Sequence, residues 1–503
     1  MGETPGTIYR LRFLGVVVLP AAALMALEIV SSRLLAPAFG NSVYVWGSII
    51  GVFLAAMSAG YVAGGRLADL RPRLPALGVV LLGSAALQTL TASIGRVVVA
   101  GLGAASGGRP GGTLLAVALL FGPATAALAA VSPFAVRLAG REPERLGGVA
   151  GRLFALSTFG SLGGTLAATF WLIPQLELEA ILALLVSVTA LAAILCFVRP
   201  LPIVGAAAIA ALAWLGPSLG RQPDEIRLER ITPYQTLVVE EAHGRRTLIS
   251  DGVRHGAIRL DTGEPALTYL QGTAVGLLAR PEAARLVVLG LGTGGAGAVL
   301  RTLRPGLDVT YVDIDPAVPE IAREWFGLDA GARVEVDDAR RFLAATDERW
   351  DIVFCDTYVG QSVPFHLATR EYFELVRTRL APGGVVEVNL AGNIDHPFSR
   401  AILRTLASVF GHVQVFRIPD SGNFMLIASE EPLPPASVLE RRAIEIDRRL
   451  GTSPRYRRVA LARWTGAIDL ADVPVLTDGY APVDALLDLG ATDARLPAGA
   501  AER

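Results

Sequence analysis

Three aspartates stand at or just after the ends of short apolar runs in the C-terminal half of the chain: Asp313, Asp338 and Asp356. Runs of this length that form parallel strands bring the residues after them to one edge of a sheet, where ligands bind. Carboxylates there suit a cationic adenosyl ligand, because they accept hydrogen bonds and can take a proton from an amine. We expect Asp313 to hold ribose hydroxyls, Asp338 to face the adenine and Asp356 to face a reacting amine.

Two of these acids have a second interpretation. Asp338 precedes a helical pattern, and aspartate is a favoured N-cap residue. Asp313 could be a solvated loop acid. His366 follows Asp356 on a loop expected over the site, and its position favours a surface histidine over a contact with substrate.

A glycine-rich turn, Gly290-Leu291-Gly292-Thr293-Gly294-Gly295, follows an apolar run and precedes a helical pattern. Glycine permits close backbone approach, and the N-terminus of a helix offers free N–H groups to a ligand. An acid about 20 residues later, here Asp313, sits where a nucleotide ribose can be held. The last glycine pair departs from the dinucleotide pattern, which leaves S-adenosyl ligands open beside NAD. The residues expected to contact the ligand are Gly290, Gly292, Thr293 and Gly294.

The elements that position these residues alternate between short apolar runs and helical stretches. The predicted strands are Arg285–Gly290, Val309–Asp313, Arg333–Val336, Ile352–Asp356 and Val385–Asn389, followed by a hairpin of His412–Arg417 and Phe424–Ser429. Alternating strands and helices predict a doubly wound parallel sheet. We therefore expect a C-terminal α/β domain that is Rossmann-like, of class I methyltransferase type. A small β domain should precede it, with a hairpin of Thr236–Glu240 and Arg246–Ser250.

The N-terminal half has a different composition, with long apolar runs and few charges. The chain is 52% hydrophobic with a mean hydropathy of +0.49, which is high for a purely soluble protein. Seven runs approach the 20 or so residues that cross a bilayer. They are Leu14–Leu35, Val45–Gly64, Leu74–Ile94, Leu114–Leu138, Leu153–Ile173, Leu178–Val198 and Ile203–Leu219. We expect a polytopic α-helical membrane domain.

The arginines between these runs place the N-terminus in the cytoplasm by the positive-inside rule. Seven spans would then leave the C-terminal half outside, away from any adenosyl compound. Either the short seventh run lies in the interface, or the stretch from Leu74 to Ser106 crosses twice. We favour a cytoplasmic C-terminal half in a multi-pass protein of the bacterial inner membrane.

Four regions follow from these patterns. Residues 1–220 form the transmembrane domain of about seven helices, and residues 221–280 form the small β domain. Residues 281–430 form the adenosyl-binding domain, and residues 431–503 form a helical C-terminal tail. The net charge of −1 gives no nucleic-acid footprint. The two cysteines lie far apart and indicate neither a disulfide framework nor a metal site.

The segment from Tyr234 to Leu390 resembles the spermidine/spermine synthase family of polyamine aminopropyltransferases, most closely a bacterial branch fused to an N-terminal membrane half. The matching pieces in the C-terminal half are Tyr234-Gln235, Ser250-Asp251-Gly252, Tyr269, the glycine turn, Asp313-Ile314-Asp315, Asp337-Asp338-Ala339 and Asp356-Thr357-Tyr358. Those typical of the fused branch are Tyr44-Val45-Trp46-Gly47, Gly65-Arg66-Leu67-Ala68-Asp69, Leu476-Thr477-Asp478 and Tyr480-Ala481-Pro482.

This resemblance implies an activity and roles for further residues. Decarboxylated S-adenosylmethionine would bind over the glycine turn, and the primary amine of a polyamine such as putrescine would attack its aminopropyl carbon. Asp356 would be the base, and Gln235 would contact the adenosyl compound. Substrate contacts are implied for Tyr269, His255 and Tyr358. The family also implies a homodimer, and the expected partners are a small amine and the lipid bilayer.

Several positions depart from the family pattern. Thr293 stands where an acid usually grips the donor amine, and Val359 where a second acid follows the catalytic one. His255 replaces a glutamine, and the neighbourhood of Tyr269 has fewer acids. We therefore expect an intact adenosyl pocket and an altered polyamine pocket. Two alternatives to aminopropyl transfer stay open: a methyltransferase-like enzyme that uses intact S-adenosylmethionine, and a membrane transporter or sensor whose soluble half only binds an adenosyl ligand.

Overall fold

The long apolar runs of the N-terminal half form helices, and the shorter runs of the C-terminal half form strands. The computed structural model describes residues 7–40, 42–106, 109–140, 146–215, 225–358, 362–452 and 454–487. The chain divides into two units. The helical unit comprises Met1–Pro223 with Arg230–Thr236, and the α/β unit comprises Asp224–Glu229 with Leu237–Arg503.

The helical unit consists of apolar helices joined by short connections. Their bounds are Thr7–Phe39, Val43–Leu70, Leu74–Ser106, Pro110–Leu120, Gly122–Ala129, Val131–Ala139, Leu146–Ala167, Leu178–Ile194 and Pro200–Leu215. The helix that begins at Leu146 continues through a π-helical stretch, Ala168–Leu172, to Gln175.

Within the described residues, five helices are long and apolar enough to cross a membrane. They are Leu11–Phe39, Val43–Leu70, Leu74–Ser106, Gly122–Ala139 and Leu146–Gln175. Shorter apolar helices cover Pro110–Leu120, Leu178–Ile194 and Pro202–Trp214. Leu74–Ser106 is one continuous helix, so the alternative in which this stretch crosses twice was wrong. The number of spans, about seven in the sequence analysis, stays a prediction.

Glycines allow neighbouring helices of this unit to approach closely. A Cβ on Gly60 would lie 2.2 Å from the carbonyl oxygen of Ala126, and one on Gly164 would lie 2.1 Å from that of Ala22. Any larger residue would therefore force the backbones apart. Backbone contact of this kind is a main source of helix association in lipid, where the hydrophobic effect is absent.

The α/β unit begins with a four-stranded antiparallel sheet in the order β1-β2-β3-β4. Its strands are β1 (Ile226–Ile231), β2 (Thr236–Ala242), β3 (Arg245–Ser250) and β4 (Val253–Arg259). The turn between β2 and β3 places His243 and Gly244 at positive φ, which fits the predicted hairpin. The small β domain is confirmed.

A seven-stranded sheet follows in the described chain, in the order β10-β11-β9-β8-β5-β6-β7. Its strands are β5 (Arg285–Leu289), β6 (Asp308–Asp313), β7 (Arg333–Val336), β8 (Trp350–Cys355), β9 (Leu380–Ala391), β10 (His412–Arg417) and β11 (Asn423–Ser429). β11 pairs antiparallel with both neighbours, and the other pairs are parallel. The intervening helices are Ala274–Ala279, Gly295–Leu303, Ala317–Phe326, Ala339–Ala345, Arg370–Thr378 and Pro397–Ala407.

Both faces of this sheet are buried, as parallel strands require. In β5, Val287 and Val288 point to opposite faces and are each fully buried in a separate apolar cluster. The continuous apolar run in the sequence therefore reflects two cores. The C-terminal region, expected as a helical tail, contains the helices Ala436–Leu450, Arg455–Leu461 and Val483–Leu486, with a non-helical stretch at 463–482.

Glu387 is an ionisable residue in the apolar core of this sheet. It lies in β9 and is fully buried, with its carboxylate against the backbone of Gly276 in the helix Ala274–Ala279. Burial raises the pKa of Glu387 well above its ordinary value, and the Gly276 backbone lowers it only in part. The folded protein thus holds Glu387 protonated where an unfolded chain has already lost the proton.

This buried acid predicts a specific pH dependence of stability. A raised folded-state pKa stabilises the fold below the unfolded pKa, and that contribution is lost as the pH rises towards the folded value. We expect the free energy of unfolding to fall through this group as the pH rises above the unfolded pKa, by at most about 1.4 kcal/mol per pH unit. In Glu387→Gln that part of the slope should vanish. Denaturant titrations between pH 5 and pH 8 measure it, with the exposed Glu445→Gln as control. Equal slopes in wild type and Glu387→Gln would contradict the assignment.

Candidate active site

The glycine-rich turn lies between β5 and the helix Gly295–Leu303, at the carboxyl edge of the parallel strands. Gly290 has a φ of +93°, and a Cβ there would lie 2.2 Å from the backbone oxygen of Asp356. Gly292 and Gly294 also have positive φ, at +53° and +79°. The turn therefore needs glycine for its conformation, and at Gly290 also for the passage of the Asp356 backbone.

Thr293 points away from solvent, towards the four-stranded sheet. It is 7% exposed, and a Cβ on Gly256 of β4 would lie 2.3 Å from its Cγ2 atom. The neighbouring residue of β4, His255, brings its carbonyl oxygen to 3.6 Å from the Cβ position of Gly292. The small sheet thus packs directly on the glycine turn, with Gly256 against Thr293 and His255 next to Gly292.

Asp313 ends β6, the strand next to β5. Its carboxylate accepts hydrogen bonds of 3.0 Å from the backbone N–H groups of Leu291 and Asp315. Burial raises the pKa of Asp313 to about 6, although these backbone donors lower it. The acid is therefore anchored to the glycine turn, and its contact with a ribose stays a prediction.

Asp356 follows β8, the other neighbour of β5. Its carboxylate accepts hydrogen bonds from the hydroxyl of Tyr269, at 3.0 Å, and from the amide nitrogen of Asn389, at 2.8 Å. Burial raises the pKa of Asp356, and the bonds from Asn389 and Tyr269 lower it in part. A buried carboxylate with a raised pKa and a fixed orientation suits general base catalysis near neutral pH.

Asn389 is a site residue that the sequence analysis did not identify. Its side-chain oxygen accepts a 2.9 Å hydrogen bond from Asn423 of β11, whose own amide oxygen accepts one of 2.8 Å from Ser421. This chain of bonds turns the amide nitrogen of Asn389 towards Asp356. The available signal was a polar residue near the end of the apolar run of β9, next to the strand that carries Asp356.

Asp338 is the N-cap of the helix Ala339–Ala345, the alternative considered from the sequence. One carboxylate oxygen accepts 3.0 Å hydrogen bonds from the backbones of Arg340 and Arg341. The other lies 2.8 Å from the Nε2 atom of His366. Burial raises the pKa of Asp338, but the bonds from His366 and the two backbones outweigh it, so the pKa lies below its ordinary value. His366 is thus a half-buried partner of Asp338, and whether it contacts substrate stays a prediction.

The remaining predicted residues lie at different places. The hydroxyl of Tyr358 donates to the carbonyl oxygen of Asn389 at 3.3 Å and accepts from the backbone N–H of Ala391 at 3.0 Å. Gln235 is buried in Arg230–Thr236, which groups with the helical unit. The ligand contacts expected of both residues stay predictions. Val359 lies outside the described residues.

The glycine turn thus contacts both Asp313 and Asp356, and Asp338 is linked to this edge because the N–H of Asp337 donates to the carbonyl oxygen of Asp313 at 3.0 Å. Strand order, glycine turn and acids together define a Rossmann-like domain of class I methyltransferase type. Residues 273–430 match the spermine/spermidine synthase domain. This match confirms the resemblance to that family for this part of the chain.

Individual relatives match over parts of their length. A probable polyamine aminopropyl transferase of Bifidobacterium longum is 31% identical over 37% of this chain and 43% of that protein. A polyamine aminopropyltransferase of Vibrio vulnificus is 31% identical over 35% of this chain and 60% of that protein. An N-terminal histidine N-methyltransferase of Emericella nidulans is 30% identical over 29% of this chain and 26% of that protein. The chain spans less than two thirds of each of these relatives.

The close approach at Gly290 predicts a large effect of one methyl group. We expect Gly290→Ala to destabilise the fold by about 3 kcal/mol, because it adds a backbone clash to an unfavourable positive φ. The matched control is Gly306→Ala. Gly306 has a φ of +90° but no atom within 4 Å of its Cβ position, so only the cost of its conformation, about 1 kcal/mol, should appear. Chemical denaturation measures both. Equal losses would show that the Asp356 backbone does not constrain this position.

Proposed function

We propose that this protein is a membrane-bound aminopropyltransferase that transfers the aminopropyl group of decarboxylated S-adenosylmethionine to a polyamine such as putrescine. The observation that carries the proposal is the carboxylate of Asp356, held by Tyr269 and Asn389 beside the glycine turn. The spermine/spermidine synthase domain at residues 273–430 supports the same reaction class.

The reaction needs one proton acceptor and an aligned displacement. The nitrogen lone pair of the amine attacks the carbon next to the sulfonium sulfur, and a C–N bond forms as the C–S bond breaks. The electron pair of that bond neutralises the sulfur, so methylthioadenosine leaves. The nitrogen loses one proton, which Asp356 accepts. A protonated amine has no lone pair for attack, so a base with a raised pKa is the main chemical demand on the protein.

The other acids would hold the donor. Asp313, fixed by the backbone of Leu291, would accept hydrogen bonds from the ribose hydroxyls above the glycine turn. Asp338 would lie near the adenine, with His366 holding its carboxylate. Since the donor carries a positive sulfonium, negative charge at this edge of the sheet would favour its binding. The reacting carbon would then lie between the turn and Asp356.

The helical unit would anchor the enzyme in the bilayer. Five helices with enough length and hydropathy to span a membrane support this, and so do the glycine contacts between them. The positive-inside pattern of the sequence favours an N-terminus in the cytoplasm, where adenosyl donors are made. An even number of spans, as when the seventh apolar run lies in the interface, would return the chain to the same side, so we propose an inner-membrane protein with a cytoplasmic catalytic unit.

A second function is favoured by Thr293. This neutral side chain is buried at the turn against Gly256, at a position where an acid would attract an amine and repel a carboxylate. Intact S-adenosylmethionine carries that carboxylate, and its use would make the enzyme a methyltransferase. One similar protein is an N-methyltransferase by name.

Calorimetric titration of the full chain with decarboxylated and intact S-adenosylmethionine separates the two functions. Tighter binding of the decarboxylated compound supports aminopropyl transfer, and tighter binding of the intact one supports methyl transfer. Binding of neither would contradict both. Product analysis with putrescine and the preferred donor then identifies the transferred group.

Replacement of the base should abolish turnover but spare donor binding. We expect Asp356→Asn to lower kcat at least about 100-fold, because the amide cannot accept the proton. Its donor affinity should change little, since Asp356 is assigned to the acceptor amine. Asp395→Asn, at an exposed turn, is the control and should keep full activity. Unchanged turnover in Asp356→Asn would remove this residue from its role.

The hydrogen bond from Asn389 predicts a shift of the pH–rate profile. Asn389→Ala removes a donor that lowers the pKa of Asp356, so this pKa should rise. Because the ionised form is the active one, activity on the acid side should then decline at a higher pH than in wild type. The profile of kcat/KM between pH 5 and pH 9 measures this, with the exposed Asn393→Ala as control. If Asn389→Ala lowers kcat/KM but the acid side of its pH profile does not move, Asn389 does not tune the pKa of Asp356.

A further inference from the structure

The chain beyond residue 430 contributes to the edge of the sheet that carries the acids. Residues 476–484, the C-terminal segment, hydrogen-bond to residues 362–370, the site loop between β8 and the helix Arg370–Thr378. The carboxylate of Asp484 accepts a 3.1 Å bond from the hydroxyl of Ser362. At the other end of the loop, the N–H of Arg370 donates to the carbonyl oxygen of Leu476 at 2.8 Å.

Asp478 makes the charged contacts of this segment. Its two carboxylate oxygens accept hydrogen bonds of 2.7 and 2.6 Å from the guanidinium of Arg340, and the hydroxyl of Thr369 donates to it at 2.8 Å. Its own N–H donates to the carboxylate of Glu371 at 3.0 Å. A bidentate arginine pair fixes angle as well as distance.

Arg340 connects this pair to the predicted adenosyl site. Besides binding Asp478, its guanidinium donates to the carbonyl oxygen of His366 at 3.2 Å. Its backbone N–H donates to the carboxylate of Asp338, the N-cap of the helix Ala339–Ala345. The ring of His366 in turn lies 2.8 Å from the second oxygen of Asp338. Asp478 therefore holds, through one arginine, both the residue that orients Asp338 and the helix that Asp338 caps.

We propose that Asp478 is a positioning residue for the adenosyl site, which holds His366 and Asp338 in place through Arg340 without touching the ligand. This rests on the proposed function, because it assigns Asp338 to the donor. The C-terminal segment is then part of the active unit, although it lies beyond the matched domain. Loss of Asp478 should weaken donor binding more than it slows the chemical step at Asp356.

The chain offers a matched control in a second arginine pair of the same region. Arg400 binds both carboxylate oxygens of Asp472, which is more exposed than Asp478. Arg400 lies on the helix Pro397–Ala407 and also donates to the carbonyl oxygen of Asp469 at 3.0 Å. This pair fastens the C-terminal region to the domain without a contact to Asp338 or His366 among the described residues.

The experiment compares Asp478→Asn with Asp472→Asn in the full chain, purified in lipid nanodiscs. Calorimetry with methylthioadenosine and with decarboxylated S-adenosylmethionine gives the affinities, and steady-state kinetics gives KM for the donor and kcat. We expect Asp478→Asn to weaken binding of both compounds about tenfold and to raise the donor KM equally, with kcat within about threefold of wild type. Asp472→Asn should change each value less than about twofold.

The outcomes separate this inference from the proposed function. If wild type binds neither compound, the proposed function fails, and the role of Asp478 fails with it. If wild type binds and Asp478→Asn binds equally well, only the positioning role is wrong. If both variants weaken ligand binding equally, and their thermal unfolding midpoints fall in parallel, Asp478 only stabilises the fold. That result would overturn the proposal.

Substitutions of His366 test the same path if Asp478→Asn does not fold. His366→Gln keeps a side-chain N–H donor that can reach Asp338, whereas His366→Ala removes it. We expect His366→Ala to weaken methylthioadenosine binding about tenfold and His366→Gln to restore most of the affinity. Equal affinities in wild type and His366→Ala would overturn the proposal.

Discussion

The crossing of the Asp356 backbone over Gly290 is the contact on which the site depends. β5 and β8 are parallel neighbours, and the N–H of Asp356 continues their ladder by donating to Leu289. The chain of β8 can leave the sheet in this direction only because Gly290 has no side chain. The next residue of the turn, Leu291, donates its backbone N–H to Asp313. The three residues Leu289–Leu291 therefore hold two of the three acids in place. Backbone geometry, rather than side-chain packing, therefore sets the spacing at this edge.

The acids differ in how the fold treats their charge. Burial raises the pKa values of Asp313 and Asp356 by more than their hydrogen bonds lower them. At Asp338 the hydrogen bonds from His366 and the backbone outweigh the effect of burial, so its pKa is lowered. Carboxylates that lack full compensation in the free protein gain more from a bound cation than solvated ones do. Under the proposed function, part of the binding energy of a sulfonium donor would come from this relief. Asp338, already satisfied by His366, would then contribute orientation more than charge.

Most strands could be predicted closely because they are short apolar runs between turn residues, but β9 begins at Leu380, five residues before the predicted Val385. β7 and β10 have the predicted bounds, and β5 and β8 differ from theirs by one or two residues. The position of Asp356 at the carboxyl edge followed from the same pattern. Asn389 could not be found in this way, because its role depends on a contact with Asp356, a residue 33 positions away in the sequence. The partnership of His366 with Asp338 likewise depends on how a loop returns over a neighbouring strand.

The first strand of the small sheet has a practical consequence for separating the two units. β1 runs from Ile226 to Ile231, while Arg230–Thr236 belongs to the helical unit and the chain rejoins the α/β unit at Leu237. A soluble fragment that began at Leu237 would lack β1 and leave an edge of β2 without its partner, open to pairing with other chains. A fragment that began before Ile226 would keep the sheet but include Arg230–Thr236, the segment that groups with the helical unit. Expression of the α/β unit alone therefore calls for redesign of Arg230–Thr236 as well as a choice of where to cut.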